Sequence, residues 1–383
     1  MLNRIVDLQE CDARDDEKRC KAGLKILKPK FQNRQNMKKQ IFLLLFTAAG
    51  LLAKAQFNAD KDPFIVKSLS SESFKKVIAE TSGGSISVNG VSAGEAKIEV
   101  YVRPNNSKLD KMSKEEIQKR LDDDYSLEVA VANGELSAIA KQKHEFKNWD
   151  WKRSLSISFK IFVPADIATK LRTSGGSISL MNLNGNQDFA TSGGSLHVEK
   201  VGGKINGNTS GGSIHVLDSK DDIDLRTSGG SIEAKNCSGH LELHTSGGSL
   251  HLSDLSGNIK ATTSGGSVEG DRIDGDLYAH TSGGSVHLND LSCSVEASTS
   301  GGGIDVEIVK LGKFVRIDNS GGGISLTIPK DKGVDLDLRG NRIKVDPLNN
   351  FSGSKDDDSM TGTLNGGGVP VRVRGGRITL SMK

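Results

Sequence analysis

The stretch TSGGSISLMNLNGNQDFA, residues 173–190, decides the fold because its length recurs unchanged along the chain. Thr-Ser-Gly-Gly begins again every 18 residues, at positions 173, 191, 209, 227, 245, 263, 281 and 299. A variant, Asn-Ser-Gly-Gly, follows at Asn319 after 20 residues, and an earlier copy, TSGGSISV, begins at Thr81. A fixed period of this length is the sequence signature of a repeat protein, in which each repeat is one structural unit.

Each repeat, counted from its Thr as position 1, contains two short runs in which apolar and polar residues alternate. Positions 6 and 8, as in Ile178 and Leu180, form one run, and positions 15 and 17 form the other. A period of two is typical of a half-buried strand, so each repeat predicts two strands. Two turns separate them, one at Thr-Ser-Gly-Gly and one at a frequent glycine at position 13, and we expect these glycines to supply positive φ. Apolar residues at position 11 are expected to anchor the second turn in the core: Leu183, Val201, Leu255, Ile273 and Leu291.

One repeat cannot bury its own apolar stripe, but stacked repeats bury it and pair every strand with the copies above and below. The sequence therefore predicts an all-β fold, a parallel β-solenoid with 18-residue coils and two short strands per coil. A β-propeller fits less well because its blades need about 40 residues, and a β-sandwich needs no constant 18-residue phase. The absence of a six-residue sub-period favours a flattened or right-handed solenoid over a left-handed hexapeptide helix.

The pattern changes at both ends of the regular repeats. Alternating runs at 96–102, 127–131, 136–140 and 155–163 predict the strands of a β-rich insertion that covers the first coils. A capping-box signal at Ser113 and Glu116 predicts one helix, ending near Asp124. The predicted parts are an upstream extension (1–36), a signal peptide (37–55), an N-terminal cap with the first coil and the insertion (56–170), the regular solenoid (171–348), and a polar, mobile loop at 349–361 followed by a degenerate last coil (349–383 together).

The segment from Met37 has the three parts of a secretory signal peptide. Lys38 and Lys39 are followed by the apolar run IFLLLFTAAGLL and by Ala-Lys-Ala, which predicts cleavage between Ala55 and Gln56. The apolar run is too short for a transmembrane helix, which needs about 20 residues. We therefore expect export to the periplasm, the outer cell surface or the medium of a Gram-negative bacterium, with residues 1–36 arising from a start codon assigned too early.

Export changes what the charge of the chain implies. The formal net charge is +3, but the first 55 residues hold 12 Lys/Arg and 6 Asp/Glu, and their removal leaves 39 basic and 42 acidic residues, a net of −3. No basic field then remains to attract nucleic acid. Cys237 and Cys293 fall at different repeat positions, three coils apart, too far for a disulfide. Cys237 is expected to be a small buried hydrophobe.

The recurring SGGSI-x-V pattern, the Val163-Pro164 step and the terminal LNGGG resemble a bacterial family of β-strand-repeat proteins known as putative adhesins, related to auto-transporter-adhesin head domains. The resemblance covers about residues 70–383. It implies the repeat architecture, and it brings no catalytic residues with it. Likeness of fold is weak evidence for activity.

Four candidate ligand sites can be considered from the residue types. His197 and His215 occupy position 7 of adjacent coils, about 4.8 Å apart by strand spacing, and are weak candidates for a metal site, because no third ligand with suitable spacing is evident. Asp218, Asp254 and Asp290 recur at position 10, but calcium needs six or more oxygens. Trp149 and Trp151 are candidates for a ligand contact, although core packing is the more common use of tryptophan. The Thr and Ser rows at positions 1, 2 and 5 could bind ice or glycans, but are expected to satisfy turn backbone groups instead.

No catalytic arrangement is defensible from the sequence. The pairs Asp221-Asp222 and Asp271-Arg272 fall in outward turns, where charged pairs are usually solvated. No nucleotide loop or metalloprotease motif occurs. We therefore expect a non-enzymatic, monomeric binding or spacer module without cofactors, whose partner is an unknown cell-surface protein or glycan. The alternative is a carbohydrate-binding or carbohydrate-active β-helix.

Overall fold

The computed structural model describes residues 62–105, 112–143 and 153–383. Within these residues the fold is all-β, with one α-helix and a single 3-10 turn at Ala93–Glu95. The predictions for residues 1–36 and 37–55, and for Trp149 and Trp151, lie outside the described residues. Twenty-six strands form one continuous sheet, which has two ladders because each repeat contributes two strand segments.

The first ladder is built from positions 6–9 of the repeats, and its strands pair in parallel with the copies one repeat away. Ile178 pairs with Leu196, which pairs with Ile214, so the register advances by one repeat at each step. The alignment of equivalent positions in columns, which the 18-residue period predicts, is confirmed. The strands are β9 (Ile178–Met181), β11 (Leu196–Glu199), β13 (Ile214–Leu217), β15 (Ile232–Lys235), the first halves of β17 (Leu250–Thr263), β18 (Val268–Thr281) and β19 (Val286–Thr299), then β20 (Ile304–Ile308) and β22 (Gly323–Ile328).

The second ladder is built in the same way from positions 12–18 together with the Thr that begins the next repeat. Thr191 pairs with Thr173 on one side and Thr209 on the other. In β17, β18 and β19 the chain stays extended through the second turn, so one long strand serves both ladders. The other strands are β8 (Ala168–Thr173), β10 (Asn184–Thr191), β12 (Gly202–Thr209), β14 (Lys220–Thr227), β16 (Ser238–Thr245) and β21 (Val315–Asn319).

The core lies between the two ladders and consists of the predicted aliphatic positions. Positions 6, 8, 11, 15 and 17 are buried throughout the regular coils. Side-chain volumes compensate between neighbouring coils: a Cβ on Gly207 would lie 2.5 Å from the ring of Phe189 and 2.7 Å from a methyl of Leu225. The bulky ring in one coil therefore requires the glycine in the next, because interiors are close-packed.

Glycine has a different role in each turn. At position 13, Gly185, Gly203, Gly239, Gly257 and Gly275 have φ between 93° and 121°, as predicted. The expectation was wrong for Thr-Ser-Gly-Gly, whose glycines do not have φ in the left-handed region. Position 4 needs glycine because successive coils touch there: a Cβ on Gly194 would lie 2.0 Å from the carbonyl oxygen of Gly176.

The insertion extends both ladders at the N-terminal end. The coil at Thr81, with β2 (Lys76–Thr81) and β3 (Ile86–Val91), pairs directly with β8 and β9 despite the intervening residues. On β2 lie β6 (Glu135–Gln142) in parallel and then β5 (Tyr125–Ala132) in antiparallel orientation. On the other ladder, β7 (Leu155–Pro164) pairs with β3 in parallel. Next to β7 lies β4 (Lys97–Pro104), and next to β4 lies β1 (Ile65–Ser68), each antiparallel to the strand before it. The helix α1 spans Lys114–Asp124, and its predicted capping box at Ser113 and Glu116 is confirmed.

The C-terminal end differs from the prediction in two ways. The segment 349–361 is not a loop, because β24 (Phe351–Lys355) and β25 (Ser359–Leu364) form an antiparallel hairpin. The last strand, β26 (Val369–Met382), is not outermost, since it lies between β21 and β22 on one side and β23 (Val334–Val345) on the other. The hairpin was missed because Met360 and Leu364 are its only fully buried apolar residues, so its apolar alternation is too short to recognise.

Candidate functional site

Some hydroxyl groups at the Thr-Ser-Gly-Gly turn form hydrogen bonds with the backbone, and others form none with the described residues. The position-1 hydroxyl of Thr245 donates to the carbonyl of Gly230 in the preceding coil at 2.7 Å and accepts from the backbone N–H of Gly248 at 3.2 Å. The same pair of bonds recurs at Thr191, Thr209, Thr227, Thr263 and Thr281. The expectation that turn hydroxyls satisfy the backbone is therefore confirmed at position 1.

Position 5 behaves similarly and position 2 does not. The Ser231 and Ser249 hydroxyls accept from the backbone N–H of Ser249 and Ser267, one coil further on. The position-2 serines, by contrast, are exposed in every regular coil, and their hydroxyls make no hydrogen bond to any part of the chain that the structure describes.

We expect Thr245→Val to lower the free energy of unfolding by about 1–3 kcal/mol. Valine keeps the shape of threonine but leaves the Gly230 carbonyl and the Gly248 N–H without their partner in a buried place. Chemical denaturation would measure the change. Ser246→Ala, one residue further along at an exposed position, is the matched control and should change stability by less than about 0.5 kcal/mol. Equal effects of the two substitutions would contradict the structural role of the threonine column.

The candidate metal ligands His197 and His215 are register partners in the first ladder, as predicted. The His215 Nδ1 atom, however, lies 2.9 Å from Oε2 of Glu233 in the next coil, and His197 Nε2 lies 3.5 Å from Oε2 of Glu199. His251 repeats this imidazole–carboxylate pairing, with Nδ1 at 3.0 Å from Glu269 Oε2. Among the described residues, no group of three His, Cys, Asp or Glu side chains could hold a metal ion.

The recurring acids of the second turn have conformational and ion-pairing roles. Asp218, Asp254 and Asp290, weighed above as calcium ligands, have φ of 50–55°, a left-handed conformation that Asp and Asn tolerate better than most residues. This turn geometry explains their recurrence without a cation. Asp221 has φ of 82° where other coils have glycine, and its carboxylate accepts from the Gly203 N–H at 2.8 Å.

The second charged pair considered in the sequence, Asp271-Arg272, is part of an ion cluster between coils. The Arg272 guanidinium donates to both carboxylate oxygens of Asp254, at 2.7 and 3.0 Å, and also contacts Asp271. Its hydrogen bonds hold the pKa of the Asp254 carboxyl below its usual range. These contacts link adjacent coils.

Both described cysteines are buried and unpaired. Burial raises the pKa of the Cys237 thiol to about 11 and that of the Cys293 thiol to about 12. Since the thiolate is the reactive form, neither residue is a nucleophile at neutral pH. The prediction that Cys237 serves as a small buried side chain is confirmed.

At the C-terminal end of the first ladder the repeat sequence changes, and a surface notch lies where it changes. Position 5 is serine in every regular coil from Ser177 to Ser285 and then becomes glycine at Gly303 and Gly323. These two glycines form the floor of a solvent-open notch of about 240 Å³, which His287, Asp305 and Arg377 also line. We call this feature the glycine notch.

Two unpartnered arginines continue the position-5 column: Arg377, which lines the glycine notch, and Arg342 on the next strand. Arg377 and Arg342 are register partners on β26 and β23. Both are exposed, and neither forms a hydrogen bond or ion pair with any described residue. On the second ladder of the same coils, by contrast, Arg374 is paired with Asp337 at 2.6 Å. The position-5 column therefore changes from hydroxyls to open backbone and then to guanidinium groups.

Among the described residues, no helix has the length and apolar character that a membrane crossing requires. No protein-family model matches the chain, and no curated protein matches it.

Several solved structures do match, at low similarity. They include a "putative cell adhesion protein" from Clostridium sporogenes (12% identity, TM-score 0.19, covering 83% of this chain and 98% of that one). Two more are described as a "putative adhesin": one from Bacteroides fragilis (15%, TM-score 0.31, covering 68% and 96%) and one from Parabacteroides distasonis (13%, TM-score 0.26, covering 82% and 96%). At these TM-scores the likeness supports no argument about the function of this chain.

Proposed function

We propose that the chain is an exported, non-enzymatic β-solenoid that acts at the cell surface as an adhesin-like rigid module for binding or spacing. The observation that carries this proposal is the constant register of the two ladders, in which residues one repeat apart pair in parallel along the regular coils. Such a stack places outward side chains in straight columns at about 4.8 Å per coil. A long, regular face of this kind suits contact with an extended partner.

The outward side chains support the same proposal. Most of the side chains discussed above as candidate catalytic or metal groups contact residues of the same or a neighbouring coil, as His215–Glu233 and Arg272–Asp254 do. Catalysis requires a nucleophile or a general base placed to act on a substrate. Groups engaged in holding coils together are better suited to a structural module.

Export is the second part of the proposal and rests on the signal-peptide pattern at 37–55. N-terminal sequencing of the protein recovered from the cell envelope or medium should give Gln56 as the first residue. Recovery of a chain that retains Met37 or residues before it would contradict the assignment.

Function is tested by a glycan-array screen on purified residues 56–383, run together with a reducing-sugar release assay on the same glycans. Binding without sugar release is the expected result. Release of sugar would overturn the non-enzymatic assignment and favour the carbohydrate-active alternative. If neither binding nor sugar release is detected, the spacer role remains. Pull-downs from the cell envelope would then have to support it by recovering an envelope protein.

A further inference from the structure

We propose that the glycine notch is a binding site for an acidic glycan, with the carboxylate or sulfate of one sugar held by Arg342 and Arg377 and the sugar ring lying over Gly303 and Gly323. This inference rests on the proposed function, because it gives the binding module its ligand class.

Neither glycine of the notch is required by the backbone. A Cβ on Gly303 would lie 3.6 Å from its nearest neighbour, the Gly323 carbonyl, and a Cβ on Gly323 would lie 3.7 Å from the Arg377 carbonyl. Both distances are ordinary contacts, and neither residue has φ in the left-handed region. The adjacent Gly302 is different, since its Cβ would lie 2.3 Å from the Gly284 carbonyl.

Serine at these positions would also be useful to the fold. In the preceding coil the Ser285 hydroxyl accepts from the Gly303 N–H at 3.3 Å, and glycine at position 303 cannot repeat that bond. Glycine inside a strand generally weakens it and marks a place where another group approaches the backbone closely. The two glycines therefore cost stability and keep the floor of the notch open to a ligand.

Charge identifies the class of ligand. Arg342 and Arg377 carry two adjacent positive charges that no described carboxylate neutralises, although the acidic turn 356–358 lies near β23, where the Asp357 carbonyl accepts from the Ile343 N–H at 2.8 Å. Guanidinium groups bind planar or tetrahedral oxyanions with two parallel hydrogen bonds. At the other side of the notch, His287, Asp305 and Ser325 offer donors and acceptors suited to sugar hydroxyls.

The size of the notch favours one sugar unit of a polymer over a large enclosed ligand. Pockets for drug-sized molecules generally occupy about 300–1,000 Å³, whereas the notch has about 240 Å³ and is open to solvent. An open site lets a polysaccharide chain enter and leave on either side. Binding of this kind should weaken as ionic strength rises.

The test is binding of the purified full-length protein to three probes by calorimetry: oligogalacturonate, which carries carboxylates; dextran sulfate; and neutral dextran. We expect binding to at least one acidic probe and none to dextran. Arg342→Gln/Arg377→Gln should weaken that binding by about tenfold or more. Gly303→Ser/Gly323→Ser restores the residue of the other coils, and should abolish binding while leaving the thermal midpoint unchanged or higher.

Arg372→Gln is the control for the single variant Arg377→Gln, because each removes one positive charge from an exposed position of β26 and Arg372 lies in its second-ladder half. It should bind as the unchanged protein does. Equal loss in this control would show attraction to diffuse charge and would overturn the site. Failure of the double serine variant to weaken binding would do the same. If no acidic probe binds while the array screen still finds a ligand, the notch proposal is wrong and the proposed function stands. If neither the calorimetry nor the array screen detects binding, the glycan-binding role itself is excluded.

Discussion

Gly230→Ala is expected to lower the free energy of unfolding by about 3 kcal/mol or more. A Cβ on Gly230 would lie 2.2 Å from the carbonyl oxygen of Gly212 and 2.5 Å from its carbonyl carbon. Both atoms belong to the backbone of the preceding coil and cannot rotate away, so the methyl group can be accommodated only if the two coils separate. Separation would also weaken the neighbouring Thr245 hydroxyl bond to Gly230.

The control is Gly229→Ala, one residue earlier in the same turn. Its Cβ would meet nothing closer than 3.4 Å, the carbonyl of Ser210. We expect a change within about 1 kcal/mol, which could be stabilising because alanine restricts the unfolded chain. Urea unfolding of both variants measures the difference. Similar stabilities for the two variants would contradict the close stacking of coils at position 4.

Removal of the last strand is expected to unfold the C-terminal coils on both sides of it. A chain that ends at Gly368 lacks β26, which supplies the fully buried residues Val371, Val373, Ile378 and Leu380. Burial of each such side chain is worth about 1.5–3 kcal/mol, so the loss is comparable with the whole stability of a typical domain, about 5–15 kcal/mol. Both β22 and β23 would lose one of their two partner strands.

Hydrogen exchange distinguishes this topology from one in which β26 is an outer strand. Amides of β20, β22 and β23 should lose protection together in the chain ending at Gly368. Omission of Lys383 alone, which leaves β26 intact, should preserve their protection. Retention of slow exchange in β22 after the larger truncation would mean that β26 does not lie inside the sheet.

The regular coils could be predicted from the sequence because one pattern recurs many times. Each repeat shows the same alternation at positions 6, 8, 15 and 17, and a constant period leaves only one register in which all apolar columns coincide. Ile178, Leu196 and Ile214 therefore pair as predicted. The capping box of α1 was predictable for a local reason, since Ser113 and Glu116 satisfy each other's backbone N–H groups without tertiary contacts.

Features that depend on contact between distant parts of the chain could not be predicted in the same way. The role of the position-4 glycines follows from coil-to-coil distance, which composition does not reveal. The place of β26 between β22 and β23 is a matter of order in space, and the sequence indicates only that Val369–Met382 resembles a coil. The position-10 aspartates were considered as ligands because their left-handed backbone is not visible in the sequence.

The candidate site had a sequence signal that was not used. The change from Ser285 to Gly303 and Gly323 at position 5 is visible once the repeats are aligned. Its meaning needed the structure, because glycine can be present for backbone conformation, for close packing or for open space. The three reasons are distinguished by the φ of each glycine and by the distances from a Cβ built on it to the nearest atoms.

The central claim, that the repeats form one straight stack, is tested most directly by spin-label distances between position-2 serines. Cysteines would replace Ser174 together with Ser246 or with Ser300 in a chain that begins at Gln56 and lacks Cys237 and Cys293. The account predicts Cα separations of about 19 Å for the pair four repeats apart and about 34 Å for the pair seven repeats apart, at 4.8 Å per coil. Distances that stop increasing, or decrease, with the number of intervening repeats would contradict a stack and indicate a closed arrangement of the repeats.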